Sequence, residues 1–253
     1  MALLDNIVAY YKLDNENDSV ASYTLTNVGS TPFATGKIGN GAVTATGNTT
    51  DYLYRDDAFG MLGSTAKTYS FWWKPVEQPG TDTSQMMTRH LYGGSAVGNY
   101  ISLAYVDVAG VKKIVMHSSP VTTYFTQTLT TGTWYHFVVT VPADNIGTIT
   151  CYMNDSSLGG HANWAQNYAL TTKLAMFADH AGTSISSGGI DEYGIWSRVL
   201  SGTEITELYN SGAGLQYPFS STSIKSINGL AYASIKSVNG LAIASVKTFN
   251  DLA

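Results

Sequence analysis

The sequence predicts an all-β chain: an antiparallel β-sandwich of jellyroll type with one short helix, followed by a C-terminal β-meander of short repeats. Three observations predict this. Apolar and polar residues alternate with period two in NIVAYYKL, KTYSFWWKP, NYISLAYVDV, KKIVMHSS, TWYHFVVTVP and GTITCYMN, with Gly, Asn, Asp or Pro between them, the pattern of short antiparallel strands. Helical spacing is convincing at one place, Ser201 to Asn210, where Ser201 and Glu204 fit a capping box, Ile205, Leu208 and Tyr209 form an apolar stripe, and Gly212 offers a stop. The chain then closes on a repeat, SIKSINGLAYA, SIKSVNGLAIA and SVKTFNDLA. Residues 1–217 are therefore read as the jellyroll and 218–253 as a repetitive β tail.

In the tail, Asn228-Gly229 and Asn239-Gly240 are type I′ hairpin signals, because both central residues need positive φ. These turns pair Ile227 with Leu230 and Ile224 with Ala233, then Val238 with Leu241 and Ile235 with Ala244, and stack the repeats in register. Both faces of such a ribbon are partly apolar, and a ribbon this short is unstable alone in water. Ile224, Leu230, Tyr232, Ile235, Leu241, Ile243 and Phe249 are accordingly expected to mediate assembly with copies of the chain or with other proteins; the alternative is that the tail caps the jellyroll's own sheet.

Charged residues make up 12% of the 253, against about 25% in typical domains, so the surface is neutral and polar. A net charge of -5 without any Lys/Arg run argues against nucleic acid, whose binding draws on clustered cations. The single Cys151 has no disulfide partner and sits in a strand pattern, where a buried inert thiol is expected. No apolar run approaches the roughly 18 residues that span a bilayer, so membrane insertion is not expected. MALLDNIVAYYKLDN lacks a basic start and an apolar stretch of signal-peptide type, and the chain reads as cytoplasmically made without Sec export.

The expectation is also that the chain is not an enzyme. Paired-carboxylate glycoside hydrolysis needs acids converging on one face of a cleft. Glu16-Asn17-Asp18 begins such an alternation but continues into Ser19, Val20 and Ala21, Asp191 and Glu192 are adjacent and are expected to point to opposite faces of a strand, and Glu204 and Glu207 lie on the helix. His90, His117, His136, His161 and His180 lack short ligand spacing, and no Cys pair exists for zinc.

Several segments carry a resemblance in chain order: IVAYYKLD, TGKIGNGAV followed by DYLYR, YSFWWKP, TGTWYHFVVTV with CYMND, and above all GIDEYGIWSRVLSGTEITELYNSGAG. Over roughly Ile7 to Leu215 the chain resembles the laminin-G-like jellyroll domains of the concanavalin A-like lectin and glucanase superfamily. The resemblance implies a concanavalin A-like sandwich and, in many relatives, a structural Ca²⁺, here corresponding to Asp14 or Asp18 with Asp191; the alternative is that Asp191 anchors a loop without metal. The tail loosely resembles C-terminal segments of phage structural proteins.

Sugar recognition uses exposed aromatic rings beside amides and carboxylates. The best local match is GGHANWAQNY, with Asn163, Trp164, Gln166, Asn167 and Tyr168 as candidate glycan contacts beside His161; Trp164 packed at a strand end is the competing reading. Of Trp72 and Trp73, alternation sends one inward and one outward, where it is free to meet a partner. The leading functional expectation is a virion-associated structural or recognition protein, phage decoration or fibre type, made in the host cytoplasm, whose jellyroll contacts a cell-surface glycan or polysaccharide while the repeats join it to other virion proteins or to itself. The alternatives are a carbohydrate-binding module of a bacterial surface or secreted protein, located outside the cell, and a glycoside hydrolase.

Overall fold

A computed structural model describes residues 2–57, 59, 61, 65–92, 100–118, 121–143, 147–162 and 171–219, and in the tail 226–227, 230–231, 237–238 and 241–242. The chain divides into two compact units, Met1–Tyr217 and Pro218–Ala253.

The first unit is a two-sheet antiparallel sandwich with one short helix. Its strands are β1 Ile7–Tyr11, β2 Thr26–Val28, β3 Phe33–Thr35, β4 Asn40–Val43, β5 Tyr52–Arg55, β6 Lys67–Lys74, β7 Ser84–Tyr92, β8 Tyr100–Val108, β9 Val111–Ser118, β10 Val121–Thr126, β11 Tyr135–Val141, β12 Thr148–Met153, β13 Ser156–Ala162, β14 Thr171–Met176 and β15 Gly189–Trp196. One sheet runs β13-β12-β11-β6-β15-β4-β3, with β1 also on β15; the other runs β10-β9-β8-β7-β14-β5-β2. β15 pairs with β6 along one edge, and its other edge is shared end to end by β4 and β1.

Period two explains the core. Tyr69, Phe71 and Trp73 of β6, Phe137, Val139 and Val141 of β11, Ile101, Leu103 and Tyr105 of β8, and Ile114 and Met116 of β9 all join one buried apolar cluster between the sheets. Cys151 belongs to it, and burial pushes its thiol well above its ordinary value. The intervening residues of β6, Thr68, Ser70 and Trp72, are buried as well. The helix α1, Gly202–Tyr209, helps explain this: its Tyr209 stacks on Trp72 and on His136. The outward tryptophan thus meets the chain's own helix, with Lys37 Nζ 4.4 Å from its ring centroid, rather than standing free for a partner. Helix α1 starts as expected, with Ser201 as N-cap and a reciprocal capping box to Glu204, and Ile205 and Leu208 are buried. It stops earlier than its glycine signal, at Asn210 in the left-handed conformation (φ 48°), a shape an Asn side chain tolerates.

One local irregularity corrects the sequence reading. In β15, Ile190 pairs with Trp73 and Asp191 with Trp72, but the next pair is Gly194 with Ser70, so β15 carries an extra residue. Glu192 takes up the bulge with φ 53°. Ile190 and Tyr193 therefore both face the core, and Asp191 and Glu192 both project outward, not to opposite faces.

In the second unit, β16 Ser226–Ile227 pairs with β17 Leu230–Ala231, and β18 Ser237–Val238 with β19 Leu241–Ala242. Ile227 faces Leu230 and Val238 faces Leu241, the registers the Asn-Gly turns predict. Among the described residues these are two separate two-stranded ladders. The expected pairs Ile224 with Ala233 and Ile235 with Ala244 fall outside the described residues.

Candidate functional site

The bulged strand builds the first unusual feature, a buried acidic pair. Asp191 is fully buried: its Oδ2 accepts from the N–H groups of Lys37 (2.6 Å) and Ile38 (2.9 Å), and its Oδ1 accepts from Glu192 N–H (2.9 Å). The loop before β4 closes on it so tightly that a Cβ at Gly36 would lie 2.5 Å from Asp191 Oδ2. Glu192 is held by the Tyr10 hydroxyl (2.6 Å) and by Gln216 Nε2 (2.6 Å). Burial pushes both carboxyls up, Asp191 to about 8 and Glu192 to about 7. The main-chain N–H groups around Asp191 only donate, and the Tyr10 hydroxyl also lies 3.2 Å from the Leu215 carbonyl.

Three of the other glutamates are engaged in structural contacts. Glu16 accepts from Asn27, Glu77 from Gly47 N–H and Gln85, and Glu204 from Arg198.

The three aspartates of the calcium expectation do not form one cradle. Asp14 Oδ1 accepts from Asn40 N–H, and Asp18 accepts from the N–H groups of Tyr10, Val20 and Ala21. Among the described residues no three His, Cys, Asp or Glu side chains form a cation site. Ca²⁺ takes six to eight oxygens, so any two of these carboxylates would need main-chain carbonyls and water to complete its shell, and Asp191, with both oxygens accepting N–H groups, anchors the loop before β4. His90 and His136, two of the scattered histidines, are buried in ring stacks with Tyr69 and Trp72, and burial holds both neutral.

The second feature lies on the outer face of the β10-to-β2 sheet. Residues directly opposite one another across neighbouring strands share a face, and the registers draw one continuous row: Thr26 with Tyr54, Tyr54 with Ala175, Ala175 with Arg89, Arg89 with Ser102, Ser102 with His117, and His117 with Thr122. At the usual strand spacing the row is about 29 Å long. Aromatic rings rise on both sides of a floor of small buried residues, Ala175 and Ser102. On one side Tyr54 lies beside Tyr52 (ring centroids 5.9 Å apart), with Lys173 Nζ 4.3 Å from the Tyr54 centroid. On the other, Tyr100 stacks on His117 (4.5 Å), and Arg89 lies over Tyr100 (4.1 Å). His117 Nδ1 and Thr122 Oγ1 are 2.7 Å apart. Tyr124, two residues further along β10 and on the same face, is 52% exposed.

None of this row was singled out from the sequence. A signal existed in the alternation of YLYR and of MHSS. On β7, however, a bulge between Met86 and Thr88 shifts the phase, so that Arg89 faces out while Thr88 and His90 both turn inward to the Tyr193 hydroxyl. The predicted contacts Asn163, Trp164, Gln166, Asn167 and Tyr168 lie outside the described residues, as do Ile224, Tyr232, Ile235, Ile243 and Phe249. The flanks of the first group are β13, whose His161 contacts Thr123 (2.7 Å), and β14, whose Thr171 pairs with Tyr92.

Two face-to-face antiparallel sheets, a helix packed on the outside of one and an aromatic and polar outer face on the other define a jellyroll of the concanavalin A-like class. Comparison with known proteins places it more narrowly. Residues 39–206 match the profile of the Laminin_G_3 family, described as the concanavalin A-like lectin/glucanases superfamily, and the chain belongs to that family. No curated protein matches the sequence.

Similar solved structures include domain 4 of AbnA, a GH43 extracellular arabinanase from Geobacillus stearothermophilus, in complex with arabinotriose; it is 21% identical with a TM-score of 0.61, over 80% of this chain and 97% of that one. The binding domain of Paraclostridial Mosquitocidal Protein 1 is 13% identical with a TM-score of 0.64, over 82% of this chain and 52% of the toxin chain. Botulinum neurotoxin type C, which depends on interaction with two ganglioside molecules to enter cells, is 11% identical with a TM-score of 0.60, over 82% of this chain and 51% of that one. The chain thus matches about half the length of each toxin chain, and at these identities the likeness is one of fold.

Proposed function

We propose that the jellyroll is a non-catalytic glycan-binding module and that the outer face of the β10-to-β2 sheet is its contact surface. The observation that carries this is the registered row of Tyr54, Arg89, His117 and Thr122, with Tyr100 beside it. Aromatic faces stack on the apolar faces of sugar rings, while a guanidinium and hydroxyls supply directional hydrogen bonds, and a floor of small residues leaves room for a chain. The fold neighbours support the reading, since one was solved with arabinotriose and another protein depends on gangliosides. Screening of the full chain against immobilised polysaccharides and glycans is expected to give binding that Tyr54→Ala and Tyr100→Ala each weaken about tenfold. EDTA is expected to leave that binding unchanged, and no new reducing ends should appear. Binding that survives both substitutions would move the contact surface elsewhere, with Trp164 and its neighbours as the next target.

The finer proposal is that the chain is a virion component of decoration or fibre type and that the repeats assemble it. Two-residue ladders such as β16–β17 and β18–β19 are too short to persist without company. Light scattering on the purified full chain is expected to give a multiple of 27.1 kDa, reduced by Leu230→Asp and Leu241→Asp. A monomer at micromolar concentration would defeat the assembly reading and leave the glycan reading intact.

A further inference from the structure

Arg89 stands apart from the other described arginines. Arg55 pairs with Asp57 and Arg198 with Glu204, but Arg89 forms no ion pair among the described residues. Its one hydrogen bond is a long contact from Nη1 to His180 Nδ1 (3.4 Å), and its Nε has no partner there. The carboxylate that acts on it electrostatically, Asp179, is already engaged: it accepts from the N–H groups of Ala181 and Thr183 and from the hydroxyls of Thr183 and Ser184. The guanidinium is also partly desolvated, since burial works against its charge. A half-buried cation without a counter-ion is costly, and a ligand anion would relieve that cost.

The surroundings define what kind of anion would fit. Arg89 lies over the Tyr100 ring, with His117 stacked beyond it and pushed toward its neutral form by burial and by the Arg89 charge itself. Arg89 is therefore a fixed charge in a row of aromatic and hydroxyl groups, with Lys173 beside Tyr54 and Lys113 over Tyr124 on the same face, an arrangement for acidic substituents carried on a neutral ring system. The geometry points to an acidic glycan, in which a sugar carboxylate is held by Arg89 while the neighbouring rings stack on Tyr100 and Tyr54. This assignment rests on the glycan-binding reading above and names its ligand class.

The test uses the full chain against matched pairs: hyaluronan, polygalacturonate, alginate and sialyllactose, each beside its carboxyl-reduced counterpart. Binding to the acidic member of at least one pair is expected, falling about tenfold to a hundredfold on carboxyl reduction and by a similar factor in Arg89→Met. Arg89→Lys should recover part of the loss, because it restores charge without the fork. The melting temperature of Arg89→Met should stay close to that of the unmodified chain, because Arg89 forms no ion pair among the described residues, and this measurement separates lost binding from unfolding. Equal binding to both members of every bound pair, or full affinity in Arg89→Met, overturns the acidic-ligand inference and leaves glycan binding standing. Absence of binding across all the pairs and across the neutral glycans rejects both.

Discussion

Arg198→Met is expected to cost about 3–5 kcal/mol of stability. The Arg198 guanidinium donates through Nη1 and Nη2 to both carboxylate oxygens of Glu204 (2.9 and 2.6 Å), and through Nε and Nη2 to the carbonyls of Asp5 (2.8 Å) and Ala2 (2.9 Å). One side chain thus ties the N-terminal loop to the first turn of α1. Both partners are buried, and Glu204 is also the returning half of the capping box, accepting from Ser201 N–H (2.8 Å). Removing the arginine leaves a buried carboxylate with only its cap. Urea denaturation of the variant measures the loss, and adding Glu204→Gln should restore part of it, because the double variant leaves neither charge stranded. A loss below about 1 kcal/mol would mean that the pair behaves like a surface bridge. The Arg198 hydrogen bonds hold the Glu204 carboxyl down, to about 2, below its unfolded value; the stability it contributes is present above about pH 4.3 and fades as the pH falls toward 2.

The second large effect is at Asp191. Asp191→Ala takes the acceptor away from three main-chain N–H groups at once, those of Lys37, Ile38 and Glu192, and is expected to cost about 3 kcal/mol or more. The paired carboxyls also set a pH dependence opposite in sign to that of Glu204. Burial raises Glu192 to about 7, above its unfolded value, so the native state holds a proton that the unfolded chain has released. The corresponding stability is complete at about pH 4 and is lost as the pH climbs through 7. Denaturation midpoints should therefore fall between pH 5 and pH 8. Glu192→Gln, which keeps partners for both Tyr10 and Gln216, should reduce that slope to the part due to Asp191, and an unchanged slope in this variant would remove Glu192 as its cause.

The bulges show where reading from sequence stops. Alternation in KTYSFWWKP correctly separates inward Trp73 from outward Trp72, because β6 is regular over its length. The same rule applied to GIDEYGIW sends Asp191 and Glu192 apart, and applied to SQMMTRHLY it puts Arg89 out of phase with Met86. One extra residue in each strand overturns it. An inserted residue is selected by what packs across it, here Tyr10 and Gln216 on Glu192, and these contacts are 182 and 24 positions away along the chain. The outward tryptophan has a similar history: alternation states that it leaves the core, but that α1 returns to cover it is a matter of tertiary packing.

Local chemistry by itself determined the sandwich class, the α1 capping box and the registers of the tail hairpins, because period, cap and turn act over a few neighbouring residues. Which face would be covered, which acids would be driven together, and which side chains would line up across seven strands were decided by folding alone. The row from Thr26 to Thr122 runs through β7 to β10, which follow one another in sequence, and then through β14, β5 and β2, which do not, so no window along the chain contains it.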